Sequence, residues 1–191
     1  MRTHSKDTSA RVLRLTYSAL YLAIALVLPF LTGQIPQIGS MLCPMHIPAL
    51  LCGFVCGWPW GLAVGFIAPL LRMVMFGMPP FYVAIAMAFE LLTYGLVSGI
   101  IYRKVFKKQT VGTLYGSLLI AMVAGRVVWG IVKVILSGIA ADAGAFTFAA
   151  FISGALLNAI PGIVVQLILV PAVVVALQKA KLIEAPSAEK A

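Results

Sequence analysis

CGWPWG, residues 56–61, interrupts an apolar run that otherwise extends from 42 to 76. Read as one helix, that run would be about 50 Å long, far beyond a hydrocarbon core of about 30 Å. Gly57 and Pro59 have the chemistry of a tight turn, and Trp58 and Trp60 suit a membrane–water interface. The break therefore divides the run into two expected spans, 44–57 and 60–77. Further apolar runs at 12–32, 80–101, 112–137 and 148–175 raise the expected number of spans to six. A re-entrant pair at 44–77 would keep the same parity.

The rest of the chain agrees with that reading. Its 191 residues are 62% hydrophobic and 10% charged, with a mean hydropathy of +1.08, whereas soluble domains carry about 25% charged residues. The expected fold is an all-α integral membrane protein, a six-transmembrane-helix bundle forming one embedded unit over 1–191. The first apolar run ends without a small-residue cleavage signature and reads as a retained span.

A net charge of +9 could suggest a nucleic-acid partner, but the placement of the charges argues against one. All but three of the 14 lysines and arginines fall in three clusters at or beyond the ends of the spans: Arg2, Lys6, Arg11 and Arg14; Arg103, Lys104, Lys107 and Lys108; Lys179, Lys181 and Lys190. With a cytoplasmic N-terminus, six spans put every cluster and the C-terminus in the cytoplasm. The outer loops 33–43 and 138–147 then hold no Lys or Arg. Five spans would push 103–108 outside, against the positive-inside rule.

The three remaining cations, Arg72, Arg126 and Lys133, lie within spans, as does Glu90, the one acid between Asp7 and Asp142. Ionisable groups at membrane depth are costly and mark functional sites by default. Counting from the outer ends, Glu90 lies ten residues below Pro80, Arg126 eleven below Ser137 and Asn158 eleven below Thr147. All three sit at about 15–17 Å, near the midplane, on three different helices.

Helical spacing puts Arg126, Trp129 and Lys133 on one face, Glu90 and Tyr94 on another, and Asn158, Gly162 and Gln166 on a third. Arg72 and Lys133 lie near the outer ends of their spans. If Glu90 neutralises Arg126, these two remain to attract an anionic group from outside.

Three readings stay open. Glu90 and Arg126 can form a structural ion pair while Arg72 and Lys133 snorkel to the interface. They can line a polar ligand pocket with Asn158, or Glu90 can serve a proton pathway. His46 in CPMHIP (43–48) fits either a satisfied interfacial imidazole or a ligand contact. The outer-side Met45, Met73, Met75, Met78 and Met87 fit either span filler or a closing lid.

Glycines at four-residue spacing (Gly53, Gly57, Gly61 and Gly65; Gly95 and Gly99; Gly112 and Gly116) permit close helix contact in lipid. Cys43, Cys52 and Cys56 lack zinc-ligand spacing and read as small packing residues, so no metal and no cofactor are expected. No HExxH, Ser/His/Asp set or P-loop is present, and the chain is expected to be no enzyme.

The chain resembles the substrate-binding S-component of an energy-coupling factor (ECF) vitamin transporter. Ala19 and Ala23 in ALYLA (19–23) are similar to the AxxxA motif by which S-components dock on the coupling subunit. HIPALLCGFVCGWPWGLAVGF (46–66) is similar to the HIP-containing second and third spans of vitamin-type members. The resemblance covers nearly the whole chain. It implies a multi-pass subunit of a bacterial-type plasma membrane that captures a vitamin-like small molecule from outside, in a pocket of the first outer loop and spans four to six. It also implies a transmembrane coupling subunit and two ATPase subunits as partners. Surplus outer-half cations favour an anionic cargo such as pantothenate, while Trp129, Tyr94 and the methionines accept a flat ring such as a flavin. The alternative is a proton-coupled secondary transporter of a small polar solute using Glu90.

Overall fold

The structure is a computed structural model and describes residues 2–32, 41–106, 110–139, 147–154, 159–180 and 182–183. Among the described residues every regular element is helical. α1 covers Arg2–Val27 and tightens into a 3-10 segment over Leu28–Thr32, where Pro29 has no amide N–H to continue an α-helical ladder. α2 is His46–Cys56, α3 is Trp58–Phe76, and α4 is Phe81–Ile100, prolonged by a π-turn over Ile101–Val105. α5 is Val111–Ile139, α6 the short Phe148–Ile152, and α7 Ile160–Lys179.

Among the described residues, five helical stretches are long and apolar enough to cross a bilayer: Ala10–Leu31, Trp58–Phe76, Phe81–Val105, Val111–Ile139 and Ile160–Lys179. The protein is an all-α, multi-pass membrane protein. Two expected spans differ from the structure. The segment at 44–57 is an 11-residue helix, about 16 Å long and so about half a hydrocarbon core. All of its residues are buried by neighbouring helices. The segment at 148–175 is not one helix, because α7 starts afresh at Ile160 with Pro161 in its first turn. A proline there has no N–H for the preceding turn and a φ suited to starting a helix.

Gly57 makes the turn expected of CGWPWG. Its φ of 95° lies in the left-handed region, its N–H donates to Gly53 O at 3.1 Å, and Pro59 follows in the first turn of α3. Beyond the turn, α2, α3 and α4 meet backbone to backbone. A Cβ added at Gly61 would stand 2.6 Å from Gly53 Cα and 2.7 Å from Gly95 O, and one added at Gly95 would stand 2.2 Å from the Gly61 carbonyl carbon. Hydrophobic attraction between helices is weak in lipid, so such close approach is a main source of cohesion. Gly112 and Gly116 behave differently, meeting only the side chains of Thr110 and Phe106 at ordinary distances.

The short helix α2 also needs its ends satisfied, since the last carbonyls of a helix have no partner within it. The π-turn after α4 directs Arg103 there: Nε and Nη2 each donate to Phe54 O at 3.2 Å, and Nη2 also donates to Val55 O. Beside it, Lys104 Nζ lies over the Trp58 ring, 5.6 Å from its centroid. The core around α2 is apolar, with Leu50, Phe54, Leu118 and Val170 fully or almost fully buried. Leucines, isoleucines and valines lie exposed along α1, α5 and α7, as lipid-facing sides require.

Candidate functional site

At its N-terminal end α2 begins with a built turn. Cys43 adopts φ 48°, a left-handed conformation uncommon outside glycine, and the His46 N–H donates to Cys43 O at 3.0 Å. The turn buries His46 and directs it toward α4. There Glu90, 1% exposed, gathers its neighbours on a single oxygen. Arg126 Nη1 from α5 lies 3.0 Å from Oε1, His46 Nε2 lies 3.3 Å away, and Tyr94 Oη donates to it at 3.1 Å.

The local backbone explains how three helices reach one carboxylate. Tyr94 follows Glu90 by four residues and so stands on the same face. Its ring lies against Gly125, where a Cβ would come within 2.0 Å of the Tyr94 ring. With no side chain at 125, α5 can approach closely enough for Arg126, the next residue, to reach Glu90. The His46 and Tyr94 rings sit 5.3 Å apart at 60°. Arg126 Nη2 also contacts Cys43 Sγ at 3.7 Å. Burial makes each charge expensive unless paired, so removing either partner leaves the other stranded.

Among the residues expected to form a site, Glu90, Tyr94, Arg126 and His46 come together. Trp129 lies one turn further along α5, its ring 6.2 Å from that of Phe151 at an interplanar angle of 31°. Lys133 follows on the same face, half-buried. Arg72 is buried in a different setting: Nη1 donates to Leu26 O at 2.5 Å, and the guanidinium lies 4.8 Å from the Phe30 centroid and 5.3 Å from that of Phe76. Asn158 lies outside the described residues. Ala19 and Ala23 are exposed on one side of α1, with Leu20 and Ile24 exposed between and beside them.

Cys43 and Gln166 were not among the expected site residues. Cys43 gives no sequence signal beyond its place just before the HIP stretch. Gln166 had one, as an amide in the middle of the apolar run of α7, well away from Gln178 at the helix end. Among the described residues, no three His, Cys, Asp or Glu side chains gather as a metal site would require.

Residues 13–174 match the family model described as "ECF transporter, substrate-specific component". No curated protein and no solved structure is significantly similar to the chain. A match over most of the chain accords with an embedded helical bundle that holds a buried polar cluster. The chain belongs to the ECF transporter substrate-specific components, membrane subunits that bind substrate and associate with an energising module for import.

Proposed function

We propose that this subunit captures a vitamin or related micronutrient from outside a bacterial-type plasma membrane, in a site built on the Glu90 cluster. One observation carries the reading: a carboxylate 1% exposed is approached by His46, Tyr94 and Arg126 from three helices. A purely structural pair would need one partner. Trp129 and Lys133 extend the site along α5 toward the outside, and Asn158 is assigned to it by depth. Lys133 supplies the positive charge for an acidic cargo such as pantothenate. Arg72, engaged by Leu26 and two phenyl rings, enters this reading as a structural cation.

The topology that fits is six crossings with both termini cytoplasmic. In it α2 and the residues before it form a crossing sheltered by protein, and all three basic clusters stay inside. Ala19 and Ala23 form the docking face for the transmembrane coupling subunit, which in turn joins two ATPase subunits. Their small, outward side chains let another helix approach closely.

The proximity of His46 to Glu90 favours one second reading, a proton-coupled carrier, since the pair could exchange a proton. The two readings separate experimentally. Purified protein is titrated through its tryptophan fluorescence with pantothenate, riboflavin, biotin, thiamine, folate and pyridoxine. Capture predicts saturable binding of one compound at nanomolar concentration, and uptake that requires the ATPases. Binding that stays weak, with uptake that proceeds without ATPases and stops with an uncoupler, establishes the carrier instead.

A further inference from the structure

The Glu90 cluster satisfies the carboxylate better than it satisfies the groups around it. Among the described residues, the buried side-chain nitrogens and oxygens without a hydrogen-bond partner belong to three residues. They are both ring nitrogens of His46, Nε of Arg126 and both amide atoms of Gln166. His46 Nε2 faces Glu90 at ion-pair distance without the alignment of a hydrogen bond. Orphaned polar atoms are rare inside proteins, because each loses its water without replacement. Two of these residues belong to the proposed site, and the third is fully buried in α7.

The packing brings Gln166 to the same region. Gly162, one turn earlier, is pressed against the carbonyls of Met41 and Leu42, where a Cβ would stand 2.7 and 2.8 Å from the oxygens. Those two residues lead directly into the Cys43–His46 turn. Gln166, Val170 and Val174 continue the buried face of α7, which packs against α2 and α5, the helices that carry His46 and Arg126. Gln166 therefore lies about 6 Å further along α7 than Gly162, toward the first turn of α2.

We infer that Gln166 is a further substrate-contacting residue, and that the part of the cargo between it and His46 is uncharged and carries both a hydrogen-bond donor and an acceptor, as an amide or imide edge does. The inference rests on the capture reading above. Its chemistry follows from the orphaned atoms. Arg126 Nε can only donate, the Gln166 amide offers a donor and an acceptor, and neutral imidazole offers one of each. The charges of Glu90 and Arg126 cancel, so the cluster supplies no surplus charge for an ion. A carboxylate would leave the Gln166 oxygen without a donor, and an ammonium would meet the Arg126 guanidinium. An acidic cargo still fits if its carboxylate lies further out, at Lys133.

The test uses full-length wild type, Gln166→Met and Gln166→Asn, titrated with the same six vitamins and melted without additions. Panthenol accompanies pantothenate, and methyl esters accompany biotin and folate, as uncharged analogues. Gln166→Met should bind the wild-type vitamin at least tenfold more weakly, yet melt at a higher temperature, since a buried orphan amide is gone. Gln166→Asn, which withdraws the amide by one methylene, should also lose affinity without melting higher. The loss should be equal for an acid and its uncharged analogue, and a loss confined to the acid overturns the assigned chemistry. Unchanged affinity in both variants, with wild type still binding, overturns the role of Gln166 and leaves the capture reading intact. If none of the six binds wild type, the capture reading and this inference fall together.

Discussion

Arg72 and Arg126 are both arginines within apolar helices long enough to span a membrane, the first buried and the second 13% exposed, and their surroundings differ in kind. Arg72 donates to the carbonyl of Leu26, where α1 turns from α to 3-10 geometry, and two phenyl faces cover its guanidinium. Among the described residues these partners are neutral and sit near the C-terminal ends of α1 and α3. Arg126 faces a carboxylate that also draws in an imidazole and a phenol, and it keeps one nitrogen unpartnered. The first setting closes on itself, as structural arginines do when aromatic faces and a carbonyl accept the charge. The second leaves hydrogen-bonding capacity unspent at a place where helices converge. Expected depth marks a candidate, and in the function proposed above the balance of donors and acceptors around it separates scaffold from site.

The sharpest way to break that comparison is to remove each arginine. Arg126→Ala should lower vitamin affinity at least a hundredfold and destabilise the fold by about 3–5 kcal/mol, because Glu90 is left buried without its cation. Titration and thermal melting in detergent check both. Adding Glu90→Gln to Arg126→Ala should recover much of the melting temperature and none of the affinity. A double variant that binds would make the pair structural.

A smaller effect is expected at Gly125→Ala. The new methyl would overlap the Tyr94 ring, so the ring or α5 must shift, at a cost of about 1–3 kcal/mol. Affinity should fall roughly tenfold as Arg126 is displaced from Glu90, by about 1.4 kcal/mol of binding energy. Tyr94→Leu in the same background should return stability, which locates the clash.

Arg72→Met should leave affinity within about threefold and cost about 1–2 kcal/mol of stability, from one hydrogen bond and the aromatic contacts. A loss of binding as large as that of Arg126→Ala would place Arg72 in the site. Least of all should Ala19→Leu with Ala23→Leu affect binding, since both side chains point outward. Uptake through the assembled transporter should stop. Lost binding would mean that this face packs within the bundle.

Depth counting paired Glu90 with Arg126 because both sit about ten residues inside their helices, and an isolated carboxylate in lipid has few partners to choose from. His46 was less legible. A lone histidine has no periodicity, and what brings it to Glu90 is the turn at Cys43, whose left-handed φ no residue type there announces. Arg103 was hidden by its own cluster: beside Lys104, Lys107 and Lys108 it read as an orientation signal, whereas the π-turn sends it back to α2. At the break before α7 the signal was present in Pro161 and was outweighed by the apolar run around it. The interruption at CGWPWG was read correctly as a turn. That the segment before it, 46–56, is buried on every side by other helices was not legible, because hydropathy does not distinguish lipid from surrounding protein.

That short helix has a consequence for how the chain is made. α2 leaves the ribosome well before α4, yet the carbonyls at its C-terminal end are capped by Arg103 and its first residue faces Glu90. Both belong to α4 and its π-turn. Too short to hold a bilayer by its own length, α2 has no finished place until residue 103 has been synthesised. Maturation is therefore out of step with synthesis: an early segment waits for a later one, and protease protection of 46–56 in nascent chains should appear only after α4 is complete.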